Sequence, residues 1–192
     1  EADGVTQLVV VDMDNDGDID VLSVSQRDDK IIWYENDGSG SFTHYIIENN
    51  LDGASGIDIK DLDSDGDIDI VASGIYSSTG DINWYENDGN QSFTKHLVDS
   101  IKSTSVHALD YDSDGDMDIV ASSPDIDLIN WYENDGYNNF TSITISSTPN
   151  NSGKIYPIDF DNDGDTDIIS CSYYDGKIIW HDNKGSGNYI QH

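Results

Sequence analysis

One acidic nonapeptide occurs four times in this chain, each copy beginning 49 residues after the last. It reads Asp12-Met-Asp14-Asn-Asp16-Gly17-Asp18-Ile-Asp20 and returns over residues 61–69, 110–118 and 159–167, with five aspartates around one glycine each time. Carboxylates held a few Å apart repel strongly, so a fold that closes such a loop calls for a cation within it. Four loops at constant spacing also call for four equivalent structural units.

Composition sharpens this reading. The chain has 192 residues, eight Lys and Arg and a formal net charge of -31, and twenty of its 39 acidic residues lie in the four loops. One divalent ion per loop would bring the charge to about -23. That surface still repels nucleic acid and anionic membranes, and no segment is apolar enough for insertion into a bilayer. Charge alone would allow disorder, but four Trp, eleven Tyr and repeated Ile/Val runs argue for a packed core. Cys171 is the single cysteine, so no disulfide forms within the chain. Metal can then do the cross-linking, and weak calcium sites fill where calcium is near-millimolar. The expected location is therefore extracellular, secreted or at the cell surface. Asn90, Asn139 and Asn150 head glycosylation-type triplets, which matter only on a eukaryotic secretory route.

The repeat extends well beyond the acidic loop. Each loop is followed by an apolar pair (Val21-Leu22, Ile70-Val71, Ile119-Val120, Ile168-Ile169), then by Ile31-Ile-Trp33-Tyr34 or its counterparts at Trp84, Trp131 and Trp180. An Asn-Asp-Gly-type turn and an aromatic close the unit at Phe42, Phe93, Phe140 and Tyr189. Turn residues between short β-branched and aromatic runs predict four strands per repeat, and no segment shows helical periodicity. The strands are apolar on both faces, as expected of sheets sandwiched between neighbours. The expected fold is all-β, a β-propeller of four four-stranded blades of about 49 residues each. It forms one repeat domain, with blades over residues 1–47, 48–98, 99–146 and 147–192. The Trp and Phe residues are expected to pack blade against blade. The last repeat stops at His192, short of the strand that the first continues as His44-Tyr-Ile-Ile47. An incomplete last sheet with an open edge, which invites another chain, follows as an expectation.

The pattern Asp-x-Asp-x-Asp-Gly-x-x-Asp suits a hard cation. Aspartates at positions one, three and five turn inward, glycine permits the sharp turn, the carbonyl at seven adds an oxygen and the aspartate at nine closes the shell. Oxygen-only donors favour calcium, whereas zinc would ask for His or Cys.

With its Trp-Tyr-Glu-Asn-Asp-Gly stretches and the Ser-Phe-Thr that follows (Ser41-Phe42-Thr43, Ser92-Phe93-Thr94), the chain resembles the FG-GAP or VCBS-type repeats over essentially its whole length. Related propellers occur in integrin alpha subunits, in some fungal lectins and beside polysaccharide-degrading enzymes. The resemblance implies four calcium sites, one per blade, in the hairpin between the first two strands, with a stabilising role. The implied ligands are Asp12, Asp14, Asp16, Asp18 and Asp20; Asp61, Asp63, Asp65, Asp67 and Asp69; Asp110, Asp112, Asp114, Asp116 and Asp118; and Asp159, Asp161, Asp163, Asp165 and Asp167. Such propellers more usually have seven or eight blades, so four blades raise the question of how the ring closes.

Ligand-binding residues are sought where the repeats diverge, in the turns after the second strand: Arg27, Tyr76, Asp125, Tyr173 and Tyr174, together with Ser77–Gly80 and Asp175. Tyrosines beside acids and Arg offer sugars a stacking face and hydrogen bonds. Val9, Asp58, His107 and Tyr156 share one repeat position and are expected to line the axis. Cys171 aligns with Val24, Ser73 and Ser122 and reads as a small core residue. No nucleophile elbow, His-Glu-x-x-His or phosphate loop is present, so an enzyme is not expected. The favoured function is a non-enzymatic binding or adhesion module with carbohydrate, or an extracellular protein, as partner. The alternatives are a structural subunit that self-assembles through its open blade edge into a ring or filament, and an accessory domain of a polysaccharide-degrading enzyme.

Overall fold

The computed structural model describes residues 2–76, 81–147, 152–174, 176–185 and 187–192. Sixteen strands form four antiparallel sheets, each in simple sequential order. The first holds β1 (Val5–Val11), β2 (Asp20–Ser25), β3 (Lys30–Asn36) and β4 (Phe42–Glu48). The second holds β5 (Ala54–Lys60), β6 (Asp69–Gly74), β7 (Ile82–Asn87) and β8 (Phe93–Asp99). The third holds β9 (Ser105–Leu109), β10 (Asp118–Ser123), β11 (Leu128–Asn134) and β12 (Phe140–Ser146). The fourth holds β13 (Ser152–Ile158), β14 (Asp167–Ser172), β15 (Ile178–Asn183) and β16 (Tyr189–Gln191). Among the described residues the one helical element is a 3₁₀ turn at Pro124–Ile126, so no helix there could cross a membrane. The fold is the four-bladed all-β propeller architecture that the repeat predicts.

Burial explains why the strands lack polar alternation. β6 and β10 are buried at every position because a neighbouring sheet covers each face. Three apolar clusters fill the three seams between consecutive blades. Leu22, Ile31 and Trp33 meet Ile57, Ile70 and Tyr85 in the first. Val71, Ile82 and Trp84 meet Val106, Ile119 and Tyr132 in the second, and Val120, Ile129 and Trp131 meet Ile155 and Ile168 in the third. At about 25 cal/mol per Å² of apolar area removed from water, these seams are the main driving force of the fold.

Polar ties cross the same seams near the axis. Thr6 Oγ1 donates to the carbonyl of Ala54 (3.2 Å) and Gln7 Nε2 to that of Ile57 (2.9 Å), while Thr104 Oγ1 reaches the carbonyl of Gly153 (2.9 Å). Asp58 and His107 also serve here: Asp58 Oδ2 accepts the Ala108 N–H at 3.0 Å, and His107 Nε2 bonds the Ile155 carbonyl at 2.9 Å. Burial pushes the Asp58 carboxyl up, but hydrogen bonds from His107, Ala108 and Ile59 outweigh it and leave the pKa lowered. These two residues tie consecutive blades together across the second and third seams.

The last sheet has its fourth strand, but β16 spans three residues where β4, β8 and β12 span seven. Cys171 corrects an expectation. It aligns with buried Val24, Ser73 and Ser122 yet is exposed, because none of the described apolar clusters covers the outer face of the fourth sheet.

Candidate metal centres and an interblade cleft

Each acidic loop joins the first two strands of its blade. Gly17, Gly66, Gly115 and Gly164 have φ of +98°, +101°, +102° and +99°, which a side chain rarely adopts. The residue two before each glycine (Asn15, Ser64, Ser113, Asn162) is also left-handed, a second turn element that Asn tolerates well. The curl aims backbone N–H groups at carboxylates: Asp12 accepts from Asp16 and Gly17, both at 3.0 Å, and Asp16 accepts from Asp18 at 2.8 Å.

Carboxylate oxygens gather within 4.8 Å of one another as Asp12–Asp14–Asp16, Asp61–Asp63–Asp69, Asp110–Asp112–Asp114 and Asp159–Asp161–Asp167. Burial, and then neighbouring acids such as Asp16 or Asp114, push the carboxyls of Asp14, Asp63 and Asp112 up. Asp61 Oδ1 and Asp110 Oδ1 are buried without a hydrogen-bond partner. An all-oxygen donor set, raised carboxylates and orphaned oxygens together fit a hard divalent cation.

The aspartates at position nine are fully buried and brace the blade. Asp20 Oδ2 accepts the Met13 N–H (3.1 Å) and the Trp33 indole N–H (2.9 Å), and Oδ1 accepts the Asn36 N–H (2.7 Å). Asp69, Asp118 and Asp167 bond the matching Asn87, Asn134 and Asn183 amides. Desolvation pushes Asp69 and Asp118 up to about 6. The position-seven side chains, Asp18, Asp67, Asp116 and Asp165, join none of these clusters. Asp18, Asp67 and Asp116 lie against Gly38, Gly89 and Gly136, where a Cβ would collide with the carboxylate.

Two contributors were overlooked from sequence. Glu35, Glu86 and Glu133, the glutamates of the Trp-Tyr-Glu-Asn repeats, place negative charge on Asp14, Asp63 and Asp112. Their constant position was the signal that could have found them. In blade four, Lys184 stands where the others have Asp37, Asp88 and Asp135. Its ammonium lies 3.1 Å from Asp161, 3.2 Å from Asp163 and 2.8 Å from Asp182, and these bonds raise its pKa.

The turn residues sought for ligand contact are each held within their own blade. Arg27 pairs with Asp3 (3.5 Å), Asp125 with Lys102 (2.8 Å), Tyr76 rests on Gly53, and Tyr173 meets Tyr174 edge-on with centroids 5.5 Å apart. None of the described clefts gathers them, and Ser77–Gly80 and Asp175 lie outside the described residues.

A cleft opens instead on the loop rim, between blades three and four. It has a volume of about 590 Å³ and is lined by Tyr111, Trp131, Tyr189, Asp112, Glu133 and Asn183 among others. The equivalent groove between blades one and two, lined by Met13, Asp14, Trp33, Asn87 and Phe93, holds about 10 Å³. Two exchanges account for the difference. Tyr45 packs tilted against Trp33, with centroids 5.1 Å apart, and bonds Glu35, whereas its counterpart Ile143 leaves Glu133 facing the cleft. Gln91 is replaced by Gly187. Inside the wider cleft the Tyr111 hydroxyl faces Tyr189 and the Trp131 indole N–H faces Asp118, as the Trp33 N–H faces Asp20. A shallower depression of about 580 Å³ on the outside of the first seam, lined by Tyr45, Ile47 and Phe93, lacks the acids and the Trp.

Stacked four-stranded sheets, each carrying an Asp-rich hairpin loop, define a propeller of acidic-loop repeats. The chain belongs to the FG-GAP-like repeat family, which matches residues 12–72, 61–121 and 110–170. Among solved structures it is similar to an Agrocybe aegerita lectin described for specific recognition of non-reducing terminal N-acetylglucosamine, with a TM-score of 0.58 and 20% identity. The match covers 97% of this chain and 52% of the lectin chain, so this chain spans about half its length. At that identity the likeness speaks for the fold. Comparison with curated proteins gave no match.

Proposed function

We propose that this protein is a non-enzymatic, calcium-stabilised propeller that binds carbohydrate outside cells. The observation that carries the reading is the cleft between blades three and four. The half-buried ring of Tyr189, above a floor of buried Tyr111 and Trp131 and beside Asp112, Glu133 and Asn183, supplies a stacking face and hydrogen-bonding groups, the combination that holds a sugar ring. The likeness to a lectin propeller supports the same class of ligand, with N-acetylglucosamine a natural first saccharide to try.

Calcium is the favoured ion because the loops offer oxygen alone and sit on bendable hairpins. Asp12, Asp14 and Asp16 and their counterparts would hold it, screening their mutual repulsion and fixing the rim that carries the cleft. Acidic side chains of the cleft either belong to loops, as Asp112 and Asp165 do, or adjoin them, as Glu133 does. Their arrangement supports positioning of a ligand over proton transfer to one.

A glycan array probed in millimolar calcium tests this reading. Binding to a defined glycan set, lost in excess chelator and regained with calcium, is the expected result. No binding to any glycan by the folded, calcium-loaded protein would sink the proposal.

A further inference from the structure

The acid two residues after each Trp is capped by a side chain of the outermost strand in three blades, and in blade three it is not. Glu35 is bonded by the Tyr45 hydroxyl, Glu86 by His96 Nε2 at 2.7 Å and Asp182 by His192 Nε2 at 3.1 Å. Register fixes the matching position on β12: Tyr45 pairs with Trp33, His96 with Trp84 and Ile143 with Trp131. Ile143 has no polar side-chain atom to offer, and Glu133 has no hydrogen bond or ion pair among the described residues. Asp165 departs from its counterparts as well. Asp18, Asp67 and Asp116 crowd the glycine of the next turn, whereas Asp165 stands 3.6 Å from where a Cβ on Gly185 would be, and it lines the cleft. Asp112 brings the carboxylates on this one cleft to three, and no Lys, Arg or His lines it. Beyond burial, Asp114 and Glu133 both push the Asp112 carboxyl up.

We infer that this cleft selects saccharides carrying a free amine, an amino sugar without its acetyl group, and that Glu133 sets the preference. The inference rests on the carbohydrate reading above and narrows it. An ammonium held among carboxylates makes charge-assisted hydrogen bonds that a hydroxyl or a neutral acetamide cannot make. It also relieves like-charge repulsion that a neutral ligand leaves in place. The half-buried Tyr189 ring gives the sugar carbons a face to rest on, which separates a sugar amine from a bare polyamine. A cation in loop three would engage Asp112 together with Asp110 and Asp114, leaving Glu133 and Asp165 for the ammonium. The closed seam supplies the contrast: Glu35 is engaged by Tyr45, and the groove there holds about 10 Å³. The formal charge of -31 draws any cation toward the protein. Selectivity is therefore read at Glu133 and not from binding alone.

Isothermal titration calorimetry of the calcium-loaded chain, at physiological salt and slightly acidic pH, tests the inference with two probes. These are the β-1,4-linked glucosamine trisaccharide and its fully N-acetylated counterpart. The amine form is expected to bind about tenfold more tightly or better. Glu133→Gln should remove most of that preference, and so should Ile143→Tyr, which rebuilds the cap of blade one. Asp52→Asn removes the same charge from an exposed position beside the turn between β6 and β7, outside the cleft, and should leave the preference in place. Equal or tighter binding of the N-acetylated form overturns the inference and leaves the carbohydrate reading standing. A preference that survives Glu133→Gln, or that falls as far with Asp52→Asn, also overturns it, because general attraction to a polyanion then explains the result. Spermidine binding as tightly as the glucosamine trisaccharide overturns it too, since the sugar ring would then contribute nothing. Absence of binding by every saccharide removes both readings.

Discussion

The seam between blades one and two and the seam between blades three and four are built from the same repeat positions, yet they pack differently. The first is closed: Tyr45 covers Trp33, whose indole N–H is bonded to Asp20, and the groove above it holds about 10 Å³. The second is open: Ile143 and Gly187 leave about 590 Å³ beside Trp131. Blade four departs in two further places. His181 replaces the tyrosines 34, 85 and 132, and Lys184 places an ammonium among aspartates that elsewhere face only one another. The lesson is that one set of repeat positions can close one seam and leave a cleft at another while the loops keep the same backbone turn in every blade.

What the two seams share gives the largest effect. A cation present at 100 times its dissociation constant stabilises by about 2.7 kcal/mol per site. Four sites give roughly 11 kcal/mol, comparable with the whole stability of a typical domain at about 5–15 kcal/mol. Excess chelator should therefore unfold the chain at room temperature by circular dichroism, and an unchanged melt would remove the loops' pinning role.

What separates the seams is tested by a matched pair. Trp33→Phe deletes a buried hydrogen bond to a carboxylate and should lower stability by about 1.5–3 kcal/mol with saccharide affinity intact. Trp131→Phe deletes the matching bond to Asp118 and should, in addition, weaken saccharide binding at least tenfold. Equal effects on affinity would erase the distinction.

His181 offers a pH readout. Burial lowers its pKa from 6.5 to about 4, so the unfolded chain takes up a proton that the folded chain refuses. Stability is present above pH 6.5 and is lost as pH falls toward 4, by about 2 kcal/mol at pH 5. His181→Tyr, the residue of the other blades, should flatten that part of the profile in denaturant titrations, whereas Asp69 and Asp118, raised to about 6, act in the opposite direction and stay unchanged. The smallest effect belongs to Lys184. Its ammonium bonds Asp161 and Asp163 and would compete there with a cation, so Lys184→Asp should tighten calcium binding by the fourth loop in calorimetry and leave the other loops alone.

The loops, the strands and the blade architecture were legible because each rests on residue types at fixed offsets: Asp around Gly17, Trp33 within an apolar run, Asn-Asp-Gly at the turn. The cleft was not legible because it depends on Ile143 and Gly187, residues of different blades whose meeting is set by the seam. Cys171 and Leu8 align with buried residues, and nothing in their own sequence context says that their faces are open in this structure. Lys184 was visible as a departure from Asp37, but its reach back to Asp161 needed the hairpin geometry.

The most direct test follows the four indole N–H signals in a ¹⁵N-labelled, calcium-loaded sample titrated with N-acetylglucosamine or another glycan selected on the array. The account predicts a saturable shift of the Trp131 signal, with Trp33 and Trp84 unmoved. Saturable glycan binding that leaves the Trp131 signal in place would contradict it.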